Sequence, residues 1–370
     1  MDFWHVLAHR APIFVWPVKF CVATTAVTYV LSILTGNVSQ VDRVWTFLPT
    51  IYTVYYALLP LWPTAAPTFF FPHTPDTLPA SLQETYSPRA LLMASLVVTW
   101  MFRFALRFRY IYMNLTLCRL SYNTWRRGLF SLKDEDYRWE ILRQKLPPFL
   151  FQVLNLTFIA IAQNIILFLL GLPAAHAVAQ PHTSLATSDY ILGTLGFLTI
   201  LTEFVADNQQ YSFQTFKHSG NLNPNEWPGV RIQWTKQDAE RGFVTRGLWA
   251  WSRHPNFLCE QSFWIIISLF PLLSPDSPKL DFPPTSLASV APLLPCTVLC
   301  LLFFSSTLFS ESISKGKYVP YAAYQERVAM FVPLLTPVWG ALLSLQGRKE
   351  SVDALVYGTR SNSKGKAKAE

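Results

Sequence analysis

Charged residues are scarce in this sequence. Asp, Glu, Lys and Arg supply 14% of its 370 residues, whereas an average soluble domain carries roughly 25%. Apolar residues supply 51% and aromatic residues 15%. A soluble fold needs polar faces on its long segments, and several long segments here have none. The scarcity of charge therefore argues against a soluble protein and favours one that is embedded in a membrane.

Several chemical motifs are also missing. The five cysteines form no Cys-x-x-Cys pair, which argues against a disulfide framework and a zinc site. The seven histidines are scattered and lack the clustering of a membrane di-iron oxygenase. The chain has no Gly-x-Gly-x-x-Gly turn, no P-loop and no Gly-x-Ser-x-Gly elbow. A Rossmann domain, a P-loop nucleoside triphosphatase and an α/β-hydrolase are therefore not expected.

Long apolar runs recur along the whole chain. A helix of about 20 apolar residues is long enough to cross the hydrocarbon core of a bilayer. The sequence therefore predicts an all-α fold, a polytopic membrane helix bundle with about seven transmembrane helices. The predicted spans cover residues 14–34, 44–61, 90–104, 149–172, 190–206, 257–273 and 291–309.

Positive charge is distributed unevenly between the loops. The net charge is +8, and Arg and Lys are concentrated in residues 105–148 and 207–253. The loop at 173–189 has neither residue type, and the loop at 274–290 has only Lys279. By the positive-inside rule the C-terminus is expected to be cytosolic and the N-terminus lumenal. The endoplasmic reticulum is the expected membrane, although the sequence alone does not distinguish it from other internal membranes. The expected partners are the lipid bilayer and an apolar lipid substrate, with no nucleic acid.

A single transmembrane domain is predicted for residues 1–345. Its last part, residues 331–345, is apolar but short and is interrupted by two prolines, so it is expected to lie at the membrane interface. Residues 346–370 end in Ser-Lys-Gly-Lys-Ala-Lys-Ala-Glu and are predicted to form a basic disordered tail.

Two carboxyl residues close the fifth predicted span. Glu203 and Asp207 are four residues apart, so both lie on one helix face. Ionisable groups at membrane depth usually face a polar cavity or a partner, which makes this pair a candidate binding site. The alternative is that the span simply ends at Glu203, in contact with lipid headgroups.

Two arginines precede the sixth predicted span. Arg246 and Arg253 belong to the block Thr-Arg-Gly-Leu-Trp-Ala-Trp-Ser-Arg-His-Pro-Asn-Phe at residues 245–257. A guanidinium group forms paired hydrogen bonds with phosphate oxygens, so both are candidate phosphate ligands. An interfacial belt of Trp and Arg anchors is the alternative explanation for this block.

Polar residues continue from this block into the membrane. His254 precedes a proline and is not expected in helical geometry. Asn256 and Glu260 share a helix face just inside the sixth span, and interfacial anchoring does not explain them. After the seventh span, which Glu311 closes, Tyr321 and Tyr324 lie one turn apart on a predicted interfacial helix. An aromatic belt is the alternative for these tyrosines.

These blocks resemble a known family. The block at 245–257, the pair Glu203 and Asp207, and the run from Glu311 through Tyr321-x-x-Tyr324 to Pro333 are similar to poorly characterised membrane proteins grouped with the C-terminal domain of steroid 5-alpha-reductases. Further resemblance lies in Val-Asp-Arg-Val-Trp at 41–45, Arg-Leu-Ser-Tyr-Asn at 119–123 and Glu-Asp-Tyr-Arg-Trp at 135–139. The resemblance covers residues 40–335. The Arg-His-Pro block alone also resembles sterol reductases and isoprenylcysteine methyltransferases.

The resemblance implies an NADPH-dependent oxidoreductase acting on CH–CH groups. Its substrate would be a carbon–carbon double bond conjugated to a carbonyl in a lipid or steroid-like enone. The reductase-like core would cover residues 190–335. The implied cofactor-binding residues, together with the candidates above, are Glu203, Asp207, Arg246, Arg253, His254, Asn256, Glu260, Glu311, Tyr321 and Tyr324.

The substrate carbonyl is expected near the second span. The steroid enzymes place a Glu in this span to hold it, whereas this chain offers Tyr52 and Tyr55, with Asp42 at the mouth of the span. These three are the candidate catalytic residues. A Tyr donates a hydrogen bond to a carbonyl oxygen without bringing charge into the membrane. Packing between helices is the alternative role for the tyrosines.

Two other functions remain open from the sequence. A membrane methyltransferase that uses S-adenosylmethionine would share the Arg-His-Pro block and the closing Glu–Tyr region. A non-catalytic lipid-binding membrane protein would keep the fold without the chemistry. Phe257 and Cys259 fit that last alternative, because relatives often have Tyr and Gly at these positions. Binding of NADPH or of S-adenosylmethionine discriminates between these functions.

Overall fold

The computed structural model describes residues 3–65, 68, 70–102, 135–222, 230–275 and 291–358. These residues form helices and turns, and no β-strand occurs among them. In hydrocarbon, only helices and closed barrels satisfy every backbone hydrogen bond, so an apolar chain of this kind is expected to fold as helices. The chain is a polytopic helical membrane bundle, as predicted. Lys279, the family block at 119–123 and most of the basic loop at 105–148 lie outside the described residues.

The described residues contain seventeen α-helices. The first part of the chain contains α1 Phe3–Arg10, α2 Val15–Thr35, α3 Gln40–Val44, α4 Phe47–Ala57, α5 Ala80–Glu84, α6 Pro88–Phe102, α7 Tyr137–Lys145, α8 Pro148–Leu154, α9 Gln163–Leu169 and α10 Leu172–Ala179. The second part contains α11 Thr187–Ser219, α12 Lys236–Arg241, α13 Pro255–Leu272, α14 Leu294–Lys317, α15 Tyr321–Arg327, α16 Leu335–Leu345 and α17 Lys349–Tyr357. A π-helix, Asn155–Ala162, joins α8 to α9. Short 3₁₀ turns lie at Pro12–Phe14, Leu59–Leu61, Gly247–Ala250 and Ala291–Leu293.

The chain divides into two compact units. The first comprises Met1–Ile200 with Ser262–Leu301, and the second comprises Leu201–Gln261 with Leu302–Glu370. Helices α11, α13 and α14 each contribute residues to both units. The single transmembrane domain predicted for residues 1–345 stays a prediction.

Four helical segments are long and apolar enough to cross a membrane. They are Pro12–Thr35, Pro148–Ala179, Thr187–Ser219 and Ala291–Lys317. The first, fourth, fifth and seventh predicted spans lie within these segments. Helices α6 and α16 are apolar but shorter. The total of seven spans stays a prediction.

The second predicted span, residues 44–61, is broken. Helix α3 ends at Val44, α4 covers only Phe47–Ala57, and a 3₁₀ turn follows at Leu59–Leu61. Pro60 lies in this turn, and a proline interrupts the α-helical hydrogen-bond ladder. An 11-residue helix is about 16 Å long, roughly half the thickness of the hydrocarbon core. The uniformly apolar sequence of residues 44–61 therefore predicted one continuous helix where the structure has a break.

Helix α4 makes a close approach to the chain between α9 and α10. A Cβ atom on Gly171 would lie 2.5 Å from the Cβ of Tyr52, so this approach requires glycine. The ring of Tyr52 lies 5.4 Å from that of Phe168 and 5.8 Å from that of Phe20. The side chain of Tyr52 is completely buried within the first unit.

The fourth span presents two buried amides to α2, one at the first residue of the π-helix and one just after its end. Asn155 donates to the hydroxyl of Ser32 at 2.9 Å, and Asn164 donates to the hydroxyl of Thr28 at 3.1 Å. The two acceptors are one helical turn apart on α2, whereas the two amides are nine positions apart. The wider π turn adjusts the register so that both amides reach α2.

A buried ion pair joins α6 to α11 in the first unit. Nε of Arg89 lies 2.8 Å from Oδ1 of Asp189, and Nη2 lies 3.2 Å from Oδ2. Nη1 of Arg89 donates to Gln180 at 2.9 Å, and the backbone N–H of Ala186 donates to Asp189 at 2.8 Å. Each buried charge is thus partnered, as burial in a low-dielectric interior requires.

Helix α17 lies inside the stretch that the sequence predicted to be disordered. Its Val352 and Val356 are buried in a cluster with Tyr321, Tyr324, Val328 and Leu343. The prediction of a disordered tail is therefore wrong for residues 349–357. Only two apolar positions of this charged segment are needed to bury one face of a helix, which average composition does not register. Residues 359–370 lie outside the described residues.

Candidate functional site

The two carboxyl residues of α11 lie within the helix and not at its end. The helix continues from Glu203 and Asp207 to Ser219, and both side chains are buried. They occupy successive turns of one face, as the spacing predicted. Protein atoms therefore surround these carboxyl groups in the second unit, which distinguishes them from residues at a frayed helix end.

The Thr-Arg-Gly-Leu-Trp block packs onto the same helix. Gly247 has a φ of 66°, and a Cβ atom there would lie 2.5 Å from Oε1 of Gln209. The same Gln209 oxygen accepts the backbone N–H of Leu248 at 2.9 Å, and Nε1 of Trp249 donates to the carbonyl of Ala206 at 3.1 Å. A left-handed glycine and two hydrogen bonds thus fix this turn against α11.

Helix α13 is linked to α11 by polar side chains. Nδ2 of Asn256 donates to Oδ1 of Asp207 at 3.3 Å. Oδ1 of Asn256 is buried and makes no hydrogen bond with any residue that the structure describes. Glu260, one turn further along α13, is buried as well. The two predicted pairs therefore belong to the same unit, and the hydrogen bond from Asn256 to Asp207 joins them. The first pair is Glu203 with Asp207, and the second is Asn256 with Glu260.

Arg253 directs nearly all of its donors to the protein. Nε and Nη2 donate to the two carboxylate oxygens of Glu311 at 2.6 and 3.0 Å. Nη1 donates to the carbonyl of Gln325 at 3.0 Å and to that of Val328. One N–H of Nε, one of Nη2 and two of Nη1 make four of the five N–H groups of a guanidinium. Arg253 therefore has little donor capacity left for a phosphate and acts as a positioning residue.

The carboxylate of Glu311 is the centre of this network. Besides Arg253, it accepts from Nε2 of Gln325 at 2.8 Å and lies 2.9 Å from Nε2 of His254. The imidazole of His254 stacks on Phe257, with ring centroids 5.6 Å apart. Several partners compensate the burial of this charge and fix the orientation of the imidazole.

The backbone of the Arg-His-Pro turn is fixed independently of these side chains. The N–H of Arg253 donates to the carbonyl of Ala329 at 2.9 Å, and the N–H of His254 donates to that of Met330 at 3.1 Å. The hydroxyl of Ser252 donates to the same Met330 carbonyl at 3.1 Å. These bonds hold the turn against the segment after α15 and present Asn256 at the start of α13.

Arg246 differs from Arg253 in its exposure. Its side chain is 38% exposed, Nη2 lies 3.1 Å from Oδ2 of Asp238, and Nη1 donates to the carbonyl of Gln233 at 3.2 Å. Asp238 is shared with Arg241, whose Nη1 lies 2.9 Å from its other oxygen. A partly exposed guanidinium with a shared counter-ion is accessible to a soluble phosphate group. Of the two arginines predicted to hold phosphates, Arg246 is the accessible one.

The two tyrosines of α15 are buried. The hydroxyl of Tyr324 donates to the carbonyl of Trp249 at 2.5 Å, and the ring of Tyr321 packs against Phe243 with centroids 5.0 Å apart. Burial raises the pKa of both phenols, so both are neutral. Tyr324 therefore supports the 3₁₀ turn of the Thr-Arg-Gly-Leu-Trp block through the carbonyl of Trp249.

The candidate catalytic residues lie in the first unit, where each has a different environment. Asp42 accepts Nε1 of Trp139 at 2.9 Å, and its burial raises the pKa of the carboxyl group. The hydroxyl of Tyr55 donates to the carbonyl of His73 at 3.1 Å. The hydroxyl of Tyr52 is buried and makes no hydrogen bond of normal geometry with the described residues, although the side chains of Cys21 and Thr24 lie beside it. Tyr52 is therefore the one of the three whose polar group is not already held by another residue in this part of the chain.

Three residues of the site were not anticipated from the sequence. Gln209 holds the Gly247 turn, Gln325 donates to Glu311, and the hydroxyl of Thr336 bridges the carbonyl of Trp251 at 2.6 Å and the N–H of Ala329 at 2.9 Å. Each forms a hydrogen bond with a residue in another part of the chain, so the spacing of neighbouring residues does not predict its role. One indication of these roles was present in the sequence: Gln209 lies two positions after Asp207, and Gln325 directly follows Tyr324.

Comparison with known proteins places this arrangement in a family. A family model for proteins of unknown function, DUF1295, matches residues 28–328. The chain belongs to the DUF1295 family. An uncharacterized protein from Schizosaccharomyces pombe is 29% identical over 311 residues, which cover 82% of this chain and 75% of that protein. No solved structure matches the chain. The DUF1295 match includes every candidate site residue from Asp42 to Tyr324.

Proposed function

We propose that the protein is an NADPH-dependent reductase of a conjugated carbon–carbon double bond in a lipid or steroid-like enone, and that its second unit holds the cofactor. The observation that carries the proposal is the hydrogen bond from Asn256 to Asp207. It joins the carboxyl-bearing face of α11 to the polar face of α13, directly after the Arg-His-Pro turn. The resemblance to the steroid 5-alpha-reductase group supports the same assignment.

The residues at this contact suit a nicotinamide dinucleotide. Carboxylates and amide oxygens accept hydrogen bonds from ribose hydroxyls and from a nicotinamide carboxamide. The buried Oδ1 of Asn256 is an acceptor of this kind that no described residue uses. Arg246 offers an accessible cation to a phosphate. When bound, NADPH supplies the hydride for the reduction, and the protein supplies its position and a site shielded from water.

Tyr52 is the proposed hydrogen-bond donor to the substrate carbonyl. Reduction of an enone develops negative charge on the carbonyl oxygen, and a fixed donor stabilises that charge. A buried hydroxyl that makes no good hydrogen bond is costly, so a ligand oxygen that accepts a hydrogen bond from Tyr52 would relieve the cost. Tyr55 and Asp42 already bond to His73 and Trp139, which makes them second choices.

The cofactor is tested by direct binding to the full-length protein in detergent. We expect NADPH to bind and S-adenosylmethionine not to bind in isothermal titration calorimetry. Arg246→Gln should weaken NADPH about tenfold, or about 1.4 kcal/mol, because a charge-assisted hydrogen bond is lost, and should weaken NADH less. Arg348→Gln is the matched control, because Arg348 is a surface arginine paired with Glu326 at 2.7 Å.

The outcomes distinguish the proposed functions. Binding of S-adenosylmethionine instead of NADPH would replace the reductase by a methyltransferase. Binding of neither, with retained fold, would leave a lipid-binding membrane protein. Equal effects of Arg246→Gln and Arg348→Gln on NADPH would remove Arg246 from the phosphate site.

The donor to the carbonyl is tested by paired Tyr→Phe variants. Each substitution removes one hydroxyl oxygen and little else. Once an enone lipid is found to be reduced, Tyr52→Phe should lower kcat about a hundredfold, on the scale of losing one oxyanion donor. Tyr55→Phe, whose hydroxyl serves the His73 carbonyl, should leave kcat within a few-fold. The assignment fails if both variants turn over the enone as the wild type does.

Methyl transfer from S-adenosylmethionine is the second candidate. Three carboxyl side chains, those of Glu203, Asp207 and Glu260, are buried on α11 and α13. A sulfonium and an ammonium group are cations, and such carboxyl groups attract them more than they attract the phosphates of NADPH. The same calorimetric comparison decides between the two.

We further propose that the protein resides in the endoplasmic reticulum with its C-terminus in the cytosol. The uneven distribution of Arg and Lys between alternate loops supports this orientation. A cytosolic face for residues 207–253 also places Arg246 on the side where NADPH is available.

A further inference from the structure

A cleft in the second unit lies apart from the Asp207–Asn256 contact. Its volume is 810 Å³, and helix α16 forms one wall with Thr336, Gly340 and Ser344 on successive turns. Lys349 and Tyr357 of α17 form another wall. The remaining lining includes Arg327 and the exposed indole of Trp251. A concave site of this size accommodates a small polar group with part of a chain.

The lining of this cleft is positively charged. Arg327 pairs through Nε with Asp353 at 2.7 Å and donates through Nη1 to the carbonyl of Thr336 at 3.3 Å. Lys349 makes no ion pair with the described residues, and the nearby Asp353 pairs with Arg327 through Oδ1. None of the described residues that line the cleft carries a carboxyl group. The cleft therefore attracts an anion.

Neutral donors accompany the two cations. The indole N–H of Trp251, the hydroxyl of Ser344 and that of Tyr357 make no hydrogen bond within the described part of the chain. Burial raises the pKa of Tyr357, so its hydroxyl remains a donor at neutral pH. Cations together with neutral O–H and N–H donors match the several acceptor oxygens of a phosphate group.

The opposite face of α16 is apolar and exposed. Thr336, Gly340 and Leu343 are buried on the inner face, whereas Leu335, Val338 and Leu342 are exposed on the outer face. Leu334, just before the helix, is 80% exposed, and Leu345, which also borders the cleft, is 85% exposed. Eleven residues make a helix of about 16 Å, too short to cross a hydrocarbon core of about 30 Å. In a membrane protein, such a face is covered by the bilayer interface.

We propose that the cleft binds the phosphate headgroup of an anionic phospholipid while the outer face of α16 lies among the acyl chains. Helix α16 thus has a leucine-rich face on one side and a cationic cleft on the other. A membrane leaflet has the matching arrangement, with apolar acyl chains next to a layer of charged headgroups. Trp251 at the cleft fits the preference of tryptophan for headgroup depth. The proposal concerns a site distinct from the cofactor residues and holds whether or not the protein is a reductase.

The site also has a structural connection to the Arg-His-Pro turn. The hydroxyl of Thr336, in the cleft wall, accepts the N–H of Ala329, and the carbonyl of Ala329 accepts the N–H of Arg253. An occupied cleft would stabilise this backbone frame. Lipid binding is therefore expected to raise the thermal stability of the protein as well as to be measurable directly.

The test uses full-length protein in a neutral detergent and native mass spectrometry. Dioctanoyl phosphatidic acid and dioctanoyl phosphatidylcholine are compared at equal concentrations. We expect the anionic lipid to bind about tenfold more tightly, on the order of one charged contact. Lys349→Ala should remove most of this preference, because Lys349 makes no other described ion pair. Lys315→Ala, at an exposed lysine of α14 that does not line the cleft, should change this preference less than twofold.

Three results would overturn the proposal. The first is equal binding of the two lipids to the wild-type protein. The second is an equal loss in the Lys349 and Lys315 variants when circular dichroism shows both folded. The third is displacement of the bound lipid by inorganic phosphate or by NADPH at matched concentrations, which would assign the cleft to a soluble phosphate or to the nucleotide.

Discussion

Arg253 and Glu311 form a two-pronged ion pair inside the second unit, with nitrogen–oxygen distances of 2.6 and 3.0 Å. The two residues are 58 positions apart in sequence, and both side chains are buried. The same carboxylate lies 2.9 Å from Nε2 of His254. The pair therefore fixes the Arg-His-Pro turn to α14, and the orientation of the imidazole depends on it.

Loss of one partner of this pair should destabilise the protein strongly. Glu311→Gln leaves the guanidinium of Arg253 buried without a counter-ion, which costs about 3–5 kcal/mol in such pairs. Glu326→Gln is the matched control, since Glu326 forms an exposed pair with Arg348, worth about 0–1 kcal/mol. Unfolding of the detergent-purified variants, followed by circular dichroism, measures both. Similar shifts for the two variants would show that the buried pair contributes no more than a surface pair.

Gly247 should not tolerate a side chain. Alanine there would adopt a positive φ, which costs about 1–2 kcal/mol, and would in addition clash with Gln209. Gly316→Ala is the control, because the added Cβ meets nothing within 4 Å in α14. We expect Gly247→Ala to lower the midpoint of thermal unfolding and Gly316→Ala to keep or raise it. Adding Gln209→Ala to Gly247→Ala should recover little if φ is the main cost.

Tyr318 should titrate at a lower pH than the neighbouring tyrosines. Burial raises its pKa, but the hydrogen bond from Lys217 at 2.9 Å and the charges of Lys217 and Lys317 lower it, and the net pKa lies below the ordinary value. The folded state thus favours the phenolate. The resulting stability is fully present above the unfolded pKa of about 10 and is lost as pH falls through the folded pKa.

The measurement is an alkaline titration of phenolate absorbance. Tyr318→Phe should remove the earliest-titrating component, whereas Tyr321→Phe should not, because burial raises the pKa of Tyr321. The stability difference between the wild type and Tyr318→Phe should widen as pH rises toward about 10. A titration unchanged by Tyr318→Phe would contradict the lowered pKa.

The orientation in the membrane is testable with single cysteines. Thr183 and Ser351 are both exposed, and the sequence predicts that they lie on opposite sides of the membrane. In a background without the native cysteines, a membrane-impermeant maleimide applied to sealed microsomes should label Ser351→Cys. Thr183→Cys should be labelled only after the membrane is opened. Labelling of both from outside would refute the predicted topology.

Local spacing predicted one part of the site well. Glu203 with Asp207 and Asn256 with Glu260 are pairs four apart, and the periodicity of a helix is sufficient to place each pair on one face. All four residues lie in the second unit, and Asp207 contacts Asn256. Apolar runs likewise predicted the long helices, because hydrocarbon leaves few other structures for them.

Contacts between distant segments were not predictable in the same way. Arg253 was assigned to phosphates because its type suits them, yet Glu311 and two carbonyls occupy it. The type of a residue limits the groups that its side chain is able to bind. The tertiary structure determines which of these groups is its actual partner. For the same reason α17 was missed, since its two buried valines gain their meaning from the tyrosines of α15.

The π-helix at Asn155–Ala162 has a consequence for how relatives are compared. One residue added to an α-helix rotates everything after it by about 100°. Removal of a single residue here would turn Asn164 away from Thr28 and Gly171 away from Tyr52, without altering composition or length appreciably. Alignments of this family should therefore permit a one-residue gap in the middle of the fourth span. In a relative with such a gap, a single deletion would have changed which residues after the π-helix face α4.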